Sequence, residues 1–134
     1  MRTLAIDFGE RRVGLAISDD EQKLALPLTT LVRQDDRSLI AEIAEIVHTE
    51  AVERLVLGRP LNVDGSAGPA AERVQSFAGK LEHAVGLPVE LIEETLTTIE
   101  AEARLRQAGV DPRKRPERID AVAAQILLEE ALNL

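Results

Sequence analysis

The sequence Thr3-Leu4-Ala5-Ile6-Asp7-Phe8-Gly9, followed by Glu10-Arg11-Arg12-Val13-Gly14, decides how the chain begins to fold. An apolar run ends in a carboxylate and a glycine, and the chain returns through residues 13–18, which predicts a tight β-hairpin. Alternation along the first strand sets Asp7 on a face of small side chains, opposite the face of Ile6 and Phe8. Such a carboxylate is costly to bury unless it is paired or binds a cation. A turn aspartate that accepts backbone hydrogen bonds is the simpler explanation of the same pattern.

The composition limits the class of protein and excludes several kinds of site. With 134 residues, 45% of them hydrophobic and 30% charged, the chain is expected to form one globular domain over residues 1–134. The absence of cysteine excludes disulfides, thiolate metal sites and a cysteine nucleophile. Two phenylalanines, with no tyrosine or tryptophan, leave little scope for base stacking on aromatic side chains. We find no signal peptide or membrane-length apolar run, so we expect a cytoplasmic protein that does not contact a membrane.

The charge distribution is uneven. The net charge is −8, which argues against nucleic-acid binding through the whole surface. Within residues 111–118, however, four basic residues outnumber two acidic ones, which gives this segment a local charge of +2. A basic segment on an acidic body is compatible with an enzyme that acts on nucleic acid.

The apolar patterns further along the chain predict the fold class. They indicate strands over residues 23–32, 52–58 and 88–94, with Pro27 placing the first of these at a sheet edge. Helices are predicted to begin at Ser38, Pro69 and Thr98, and a last helix to run over residues 119–132. This order predicts an α/β fold in which a three-stranded antiparallel unit joins parallel strands in one mixed sheet, flanked by helices.

Acidic residues fall where ligands collect in such folds. Asp7 and the pair Glu93-Glu94 each follow a strand, and Asp120 opens the last predicted helix beside small alanines. Taken singly, Glu94 is explained as a solvated strand end and Asp120 as a favourable charge at a helix N-terminus. If these carboxylates converge in the folded chain, they would suit hard divalent cations such as Mg²⁺. Two such ions that share an aspartate are a known arrangement for cleaving phosphodiesters.

Three blocks of the sequence resemble the YqgF/RuvX family, which has an RNase H-like fold and is related to Holliday-junction resolvases. The blocks are residues 4–14, residues 56–68 reading Val-Leu-Gly-Arg-Pro-Leu-Asn-Val-Asp-Gly-Ser-Ala-Gly, and residues 93–98 with Ile119-Asp120-Ala121. The resemblance spans essentially the whole chain. It implies a nuclease that uses Mg²⁺ or Mn²⁺ and acts mainly in 5′-end processing of pre-16S rRNA.

The resemblance also implies site residues, with two departures from the family pattern. Asp7, Glu94 and Asp120 would form the acidic, metal-binding set. The family commonly reads Asp-Glu-Arg where this chain has Glu93-Glu94-Thr95, so Glu93 stays a second candidate for the position that we assign to Glu94. Glu10 adds a negative charge where the family commonly has a small or hydroxyl residue. The expected substrate-binding residues are basic or amide side chains: Arg11, Arg12, Asn62, Arg113, Lys114, Arg115 and Arg118.

Several alternatives stay open at the level of the sequence. The substrate could be pre-rRNA, or branched or single-stranded DNA as for a junction resolvase, and the protein could act as a monomer or a homodimer. The chain could also be a non-catalytic RNA-binding factor in ribosome biogenesis. A similar hairpin binds phosphate in sugar kinases and actin-like ATPases, but 134 residues leave no room for their two-lobed cleft.

Overall fold

The computed structural model describes residues 1–9, 11–60, 64–94 and 97–134, with only the backbone described at Glu94, Thr97 and Thr98. In these residues the strands and helices follow in the order β1 (Arg2–Phe8), β2 (Arg12–Ser18), β3 (Ala25–Val32), α1 (Asp36–Thr49), β4 (Val52–Pro60), α2 (Pro69–Val85), β5 (Val89–Glu94), α3 (Thr97–Gln107) and α4 (Arg115–Leu132). Within the described ranges, no helix combines the length and apolar character needed to cross a membrane.

The predicted hairpin is formed by β1 and β2. Its antiparallel register places Asp7 opposite Gly14 and Phe8 opposite Val13. At the corner, the Gly9 amide donates a hydrogen bond of 3.0 Å to the carbonyl oxygen of Arg12. A Cβ atom on Gly9 would lie 2.5 Å from that oxygen, so this corner requires glycine because of the close approach.

The sheet has the strand order β3-β2-β1-β4-β5. β3 and β2 are antiparallel to their neighbours, whereas β4 and β5 run parallel to β1. β3 is the edge strand that its Pro27 predicts, and the register between β2 and β3 shifts next to Leu15. The predicted mixed sheet is confirmed, and the carboxyl ends of β1, β4 and β5 meet at one edge.

One face of the sheet carries most of the large apolar side chains. Leu4, Ile6, Leu55 and Leu57 from the parallel strands pack against α1 and α2, where Phe77 is fully buried. Burying a side chain of this size contributes about 1.5–3 kcal/mol to the free energy of unfolding. This face therefore supplies much of the stability of the fold.

The other face carries small side chains, and helix α4 lies directly on it. Ala5 and Ala16 of the hairpin pack with Ala124 and Leu127 of α4. Helix α3 packs on α4 in turn, through Ala101 and Leu105 against alanine and branched side chains. Because the strands present alanine and glycine here, α4 approaches the sheet closely, at the level of Asp7.

Three predicted helix starts differ from the structure, that of α3 by a single residue. α1 begins at Asp36 rather than Ser38, and the Asp35 carboxylate caps it by accepting a hydrogen bond of 2.8 Å from the Ser38 amide. α4 begins at Arg115, four residues before the predicted start, with Pro116 in its first turn, where a missing amide hydrogen is harmless. Asp120 therefore lies in the second turn of α4, and its interpretation as a helix-opening charge is wrong.

Candidate active site

Asp7 and Asp120 are brought together by Gly14. Asp7 lies opposite Gly14 in the hairpin. A Cβ atom on Gly14 would lie 1.9 Å from the carbonyl oxygen of Asp120 and 2.8 Å from the amide nitrogen of Ala121. Directly opposed residues of an antiparallel pair share one face of the sheet, so Asp7 and the backbone of Asp120 lie on the same face, one strand apart.

The carboxylate of Asp120 is partly buried beside Arg12. The Nε atom of Arg12 lies 3.0 Å from Oδ2 of Asp120, and the Asp120 side chain is 20% exposed. Oδ2 itself is buried and has no well-aligned hydrogen-bond donor among the described residues, so the Arg12 contact is an ion pair without good hydrogen-bond geometry. Burial raises the pKa of Asp120 above its ordinary value, and the positive charge of Arg12 opposes this only in part.

Glu93, the first of the two glutamates at the end of β5, lies on the face of the sheet that carries the large apolar core. Glu93 is exposed and lies 3.4 Å from Nη1 of Arg59 across the β4–β5 pair. Val89, on the same strand face as Glu93, packs against the core under α1 and α2. Glu93 is thus on the face opposite α4 and is not placed with Asp120. Glu94 is the last residue of β5, and its side chain lies outside the described part of the structure.

The predicted three-carboxylate set can be located only in part. Among the side chains that the structure describes, no three His, Cys, Asp or Glu residues are grouped closely enough to hold a metal ion. Two of the three predicted acids, Asp7 and Asp120, lie on one face beside Gly14. The grouping of all three acids therefore stays a prediction, as does the choice between Glu93 and Glu94.

The predicted substrate-binding residues do not share one environment. Arg11 is exposed on the hairpin, whereas Arg12 is drawn towards α4 and donates a hydrogen bond of 3.0 Å from Nη1 to the Pro116 carbonyl oxygen. Arg113 is paired with Asp111, and Lys114 beside it is exposed. Asn62 and Glu10 lie outside the described residues. Their roles stay predictions.

The last two predicted residues belong to different cavities. Arg115 lies with Arg12 in a groove between the start of β2, α3 and the start of α4, with a volume of about 330 Å³. Arg118 lines a separate cavity of about 530 Å³ between β3 and α4. The basic segment predicted from the sequence is therefore divided between two surfaces.

Sequence reasoning missed Arg106, which lines the groove together with Arg12 and Arg115. Arg106 is in the last turn of α3, four residues after Glu102, so that the two side chains share one helix face. That spacing was visible in the sequence, but the packing of α3 on α4 was not. A second missed feature is the guanidinium of Arg33, which lies 4.4 Å from the centroid of the Phe8 ring.

The overall architecture defines the class of protein. A RuvC of T. thermophilus in complex with a Holliday junction substrate superposes with a TM-score of 0.63 at 17% identity, covering 99% of this chain and 94% of the other. The Fowlpox virus resolvase in complex with Holliday junction DNA gives a TM-score of 0.59 at 10% identity, covering 99% and 97%. At these identities the likeness shows the fold, which is the RNase H-like fold of resolvases.

The chain belongs to the RuvX family, since the family model described as "RuvX: Holliday junction resolvase" matches residues 1–134. A relative from Anaeromyxobacter dehalogenans (strain 2CP-C), named "Putative pre-16S rRNA nuclease", is 45% identical over 133 residues, which cover 99% of this chain and 97% of the relative. Both comparisons confirm the resemblance found in the sequence motifs. They place this chain among nucleases.

Proposed function

We propose that this chain is a divalent-metal-dependent nuclease that hydrolyses phosphodiester bonds of pre-16S rRNA during maturation of its 5′ end. The observation that carries the proposal is the meeting of Asp7 and Asp120 on one face of the sheet beside Gly14. The substrate is inferred from the name of the 45% identical relative. The position at the carboxyl end of β1 also suits a site in an α/β sheet.

The residues present fit Mg²⁺ or Mn²⁺. All candidate ligands are carboxylate oxygens, which hard divalent cations prefer. Oδ2 of Asp120 is buried, and the Arg12 guanidinium beside it makes no aligned hydrogen bond and offsets the burial only in part, so a bound cation would stabilise the ionised carboxylate further. When bound, such an ion supplies the activation of water and the charge stabilisation that phosphodiester hydrolysis needs.

We assign the third ligand to Glu94 rather than Glu93. Glu93 is on the α2 side of the sheet and is paired with Arg59, and successive strand positions alternate between faces. In the sheet, β1 lies between β2, which contacts Asp120, and β4, which in turn pairs with β5. We therefore expect Asp7, on the strand between the other two positions, to hold the metal together with Asp120 and Glu94.

The remaining residues bind and orient the substrate. Arg12 offsets part of the cost of burying the Asp120 charge, and it can contact a phosphate on the solvent side, where its side chain is 47% exposed. Arg11, on the same hairpin, adds positive charge near the site. On a chain of net charge −8, this local positive charge is what attracts a polyanion to the carboxylates.

The test is a cleavage assay on a labelled pre-16S rRNA 5′ fragment with Mg²⁺, Mn²⁺ or EDTA. We expect cleavage only with metal, loss of at least 10²-fold in rate for Asp7→Asn, and little change for Glu93→Gln. Circular dichroism and melting temperature should show that both variants are folded. Wild-type activity in folded Asp7→Asn would contradict the assignment. RNA binding without any metal-dependent cleavage would favour the non-catalytic RNA-binding alternative.

The second candidate function is cleavage of branched DNA. It is favoured by the description of the matching family as Holliday junction resolvase. Symmetric cleavage of a junction requires two sites related by a two-fold axis, and so a dimer. A labelled four-way DNA junction in the same assay, with the solution mass from light scattering, separates this candidate from the RNA nuclease.

A further inference from the structure

A basic groove adjoins the candidate active site. Three elements form it: the start of β2 with Arg12, the last two turns of α3 with Glu102 and Arg106, and residues 112–119 with Arg115. Its volume of about 330 Å³ can hold a phosphate together with part of its sugar. Three arginines face one glutamate in this groove, on a chain whose net charge is −8.

The arginines of the groove differ in whether a neighbouring carboxylate is already paired with them. Arg106 forms no ion pair with any residue that the structure describes, and its side chain is exposed. The Nε atom of Arg115 donates a hydrogen bond of 3.0 Å to the Val110 carbonyl oxygen, and its charge also acts on the nearby Asp111 carboxylate without forming an ion pair among the described residues. By contrast, Arg113, two residues earlier, is paired with Asp111. Arg106 and Arg115 are therefore available to an anion.

Arg12 connects the groove with the carboxylates. Its Nε lies 3.0 Å from Oδ2 of Asp120, while its Nη1 donates to the Pro116 carbonyl oxygen at the groove wall. If the scissile phosphate of a nucleic-acid strand lies at Asp7 and Asp120, a neighbouring phosphate of the same strand would lie in the groove. The start of the 18-residue helix α4 adds partial positive charge at the same place.

We propose that this groove is a phosphate-binding subsite of the nuclease, which holds a backbone phosphate flanking the scissile one through Arg106 and Arg115. The inference rests on the proposed nuclease function and adds a residue, Arg106, that the sequence motifs do not contain. Guanidinium groups bind phosphate with two parallel hydrogen bonds, which fix the register of the strand as well as attract it. Arg106 and Arg115 are thus positioning residues, and the carboxylates perform the chemistry.

The test measures binding of a labelled RNA stem-loop with a single-stranded tail, by fluorescence anisotropy in Ca²⁺ over a range of salt concentrations. Arg106→Gln should weaken binding about tenfold, the loss of one charge-assisted contact. It should also reduce the slope of log K against log salt by about 1. Arg37→Gln, the same change on exposed α1 at the other side of the sheet, should leave both values unchanged. Arg106→Lys should restore most of the slope, because it keeps the charge.

The failure of the subsite and the failure of the nuclease proposal give different results. In Mg²⁺, Arg106→Gln should raise KM about tenfold and change kcat by less than about twofold, because the contact positions substrate without touching the reacting atoms. An unchanged salt slope and KM in Arg106→Gln, with active wild type, would overturn the subsite alone. Wild type that binds RNA with the predicted slope but cleaves neither RNA nor a DNA junction would overturn the nuclease and leave the groove as a phosphate-binding site.

Discussion

The main chain of Asp120 occupies the space in which Gly14 would carry a Cβ atom. The distance from such a Cβ to the Asp120 carbonyl oxygen would be 1.9 Å, far inside van der Waals contact. Gly14 is at the same time the strand partner of Asp7. One missing methyl group thus lets α4 approach the sheet and sets the separation of two candidate metal ligands.

Substituting Gly14 should therefore affect both stability and activity. Gly14→Ala forces α4 away from the hairpin, since both clashing partners are backbone, and should cost about 3 kcal/mol or more of the free energy of unfolding. Cleavage should be lost even at temperatures where the variant is folded, because Asp120 moves. Urea unfolding and the rRNA cleavage assay measure the two effects.

The matched control for that substitution is Gly79→Ala on the exposed face of α2. No neighbouring atom lies within 4 Å of a Cβ at this position. Alanine in a helix interior is favoured over glycine by about 0.5–1 kcal/mol, so this variant should be slightly more stable than wild type. Equal stability changes in the two alanine variants would show that Gly14 is not a contact point between helix and sheet.

Asp120 should destabilise the metal-free protein. Burial raises the pKa of Asp120 in the folded state above the value in the unfolded chain, so ionised Asp120 costs stability at neutral pH. This cost disappears as the pH falls through the raised pKa. In EDTA, Asp120→Asn should therefore be more stable than wild type at pH 7, and the difference should shrink as the pH falls towards the ordinary pKa of aspartate. Thermal unfolding at several pH values measures this; a difference that grows on acidification would contradict it.

Asp35 gives the opposite pH dependence and serves as a comparison. Hydrogen bonds from the amide and hydroxyl of Ser38 lower the pKa of Asp35 below its ordinary value. Its capping of α1 is then fully present above the ordinary pKa and is lost as the pH falls through the lowered pKa. Asp35→Ala should be less stable than wild type at pH 7 and should approach wild type only in strong acid.

The sequence predicted the parts of this site that depend on local order. Alternation along residues 3–8 was sufficient to set Asp7 on the small-residue face, and the hairpin register then follows from the short turn. The start of α4 was mispredicted because the charges of residues 113–118 are as compatible with a loop as with a first helical turn. Arg106 was missed because its position in the groove depends on how α3 packs against α4. That packing is set by the fit of side chains from segments far apart in the sequence, and no residue spacing within one segment indicates it.

Metal titration should distinguish the two glutamates at the end of β5. Glu94→Gln should weaken Mn²⁺ binding at least tenfold, whereas Glu93→Gln should bind as wild type does, since Glu93 is paired with Arg59 on the other face. Both variants carry the same change at adjacent positions, so each controls for the other. Isothermal titration calorimetry reports the affinities. Weakened binding in Glu93→Gln alone would move the third ligand to that residue.

Arg12 should compete with the metal for Asp120 while assisting the RNA. Its guanidinium is the cation that now faces Oδ2 of Asp120, with the two side chains 47% and 20% exposed. Such a partly exposed pair contributes about 1 kcal/mol, so Arg12→Gln should tighten Mn²⁺ binding about fivefold. The same variant should bind RNA more weakly, because Arg12 also lines the basic groove.

Arg11→Gln removes the same charge from the neighbouring exposed position and should leave Mn²⁺ affinity close to that of wild type. If Arg12→Gln binds Mn²⁺ no more tightly than Arg11→Gln does, Arg12 is not a counter-ion that the metal displaces from Asp120.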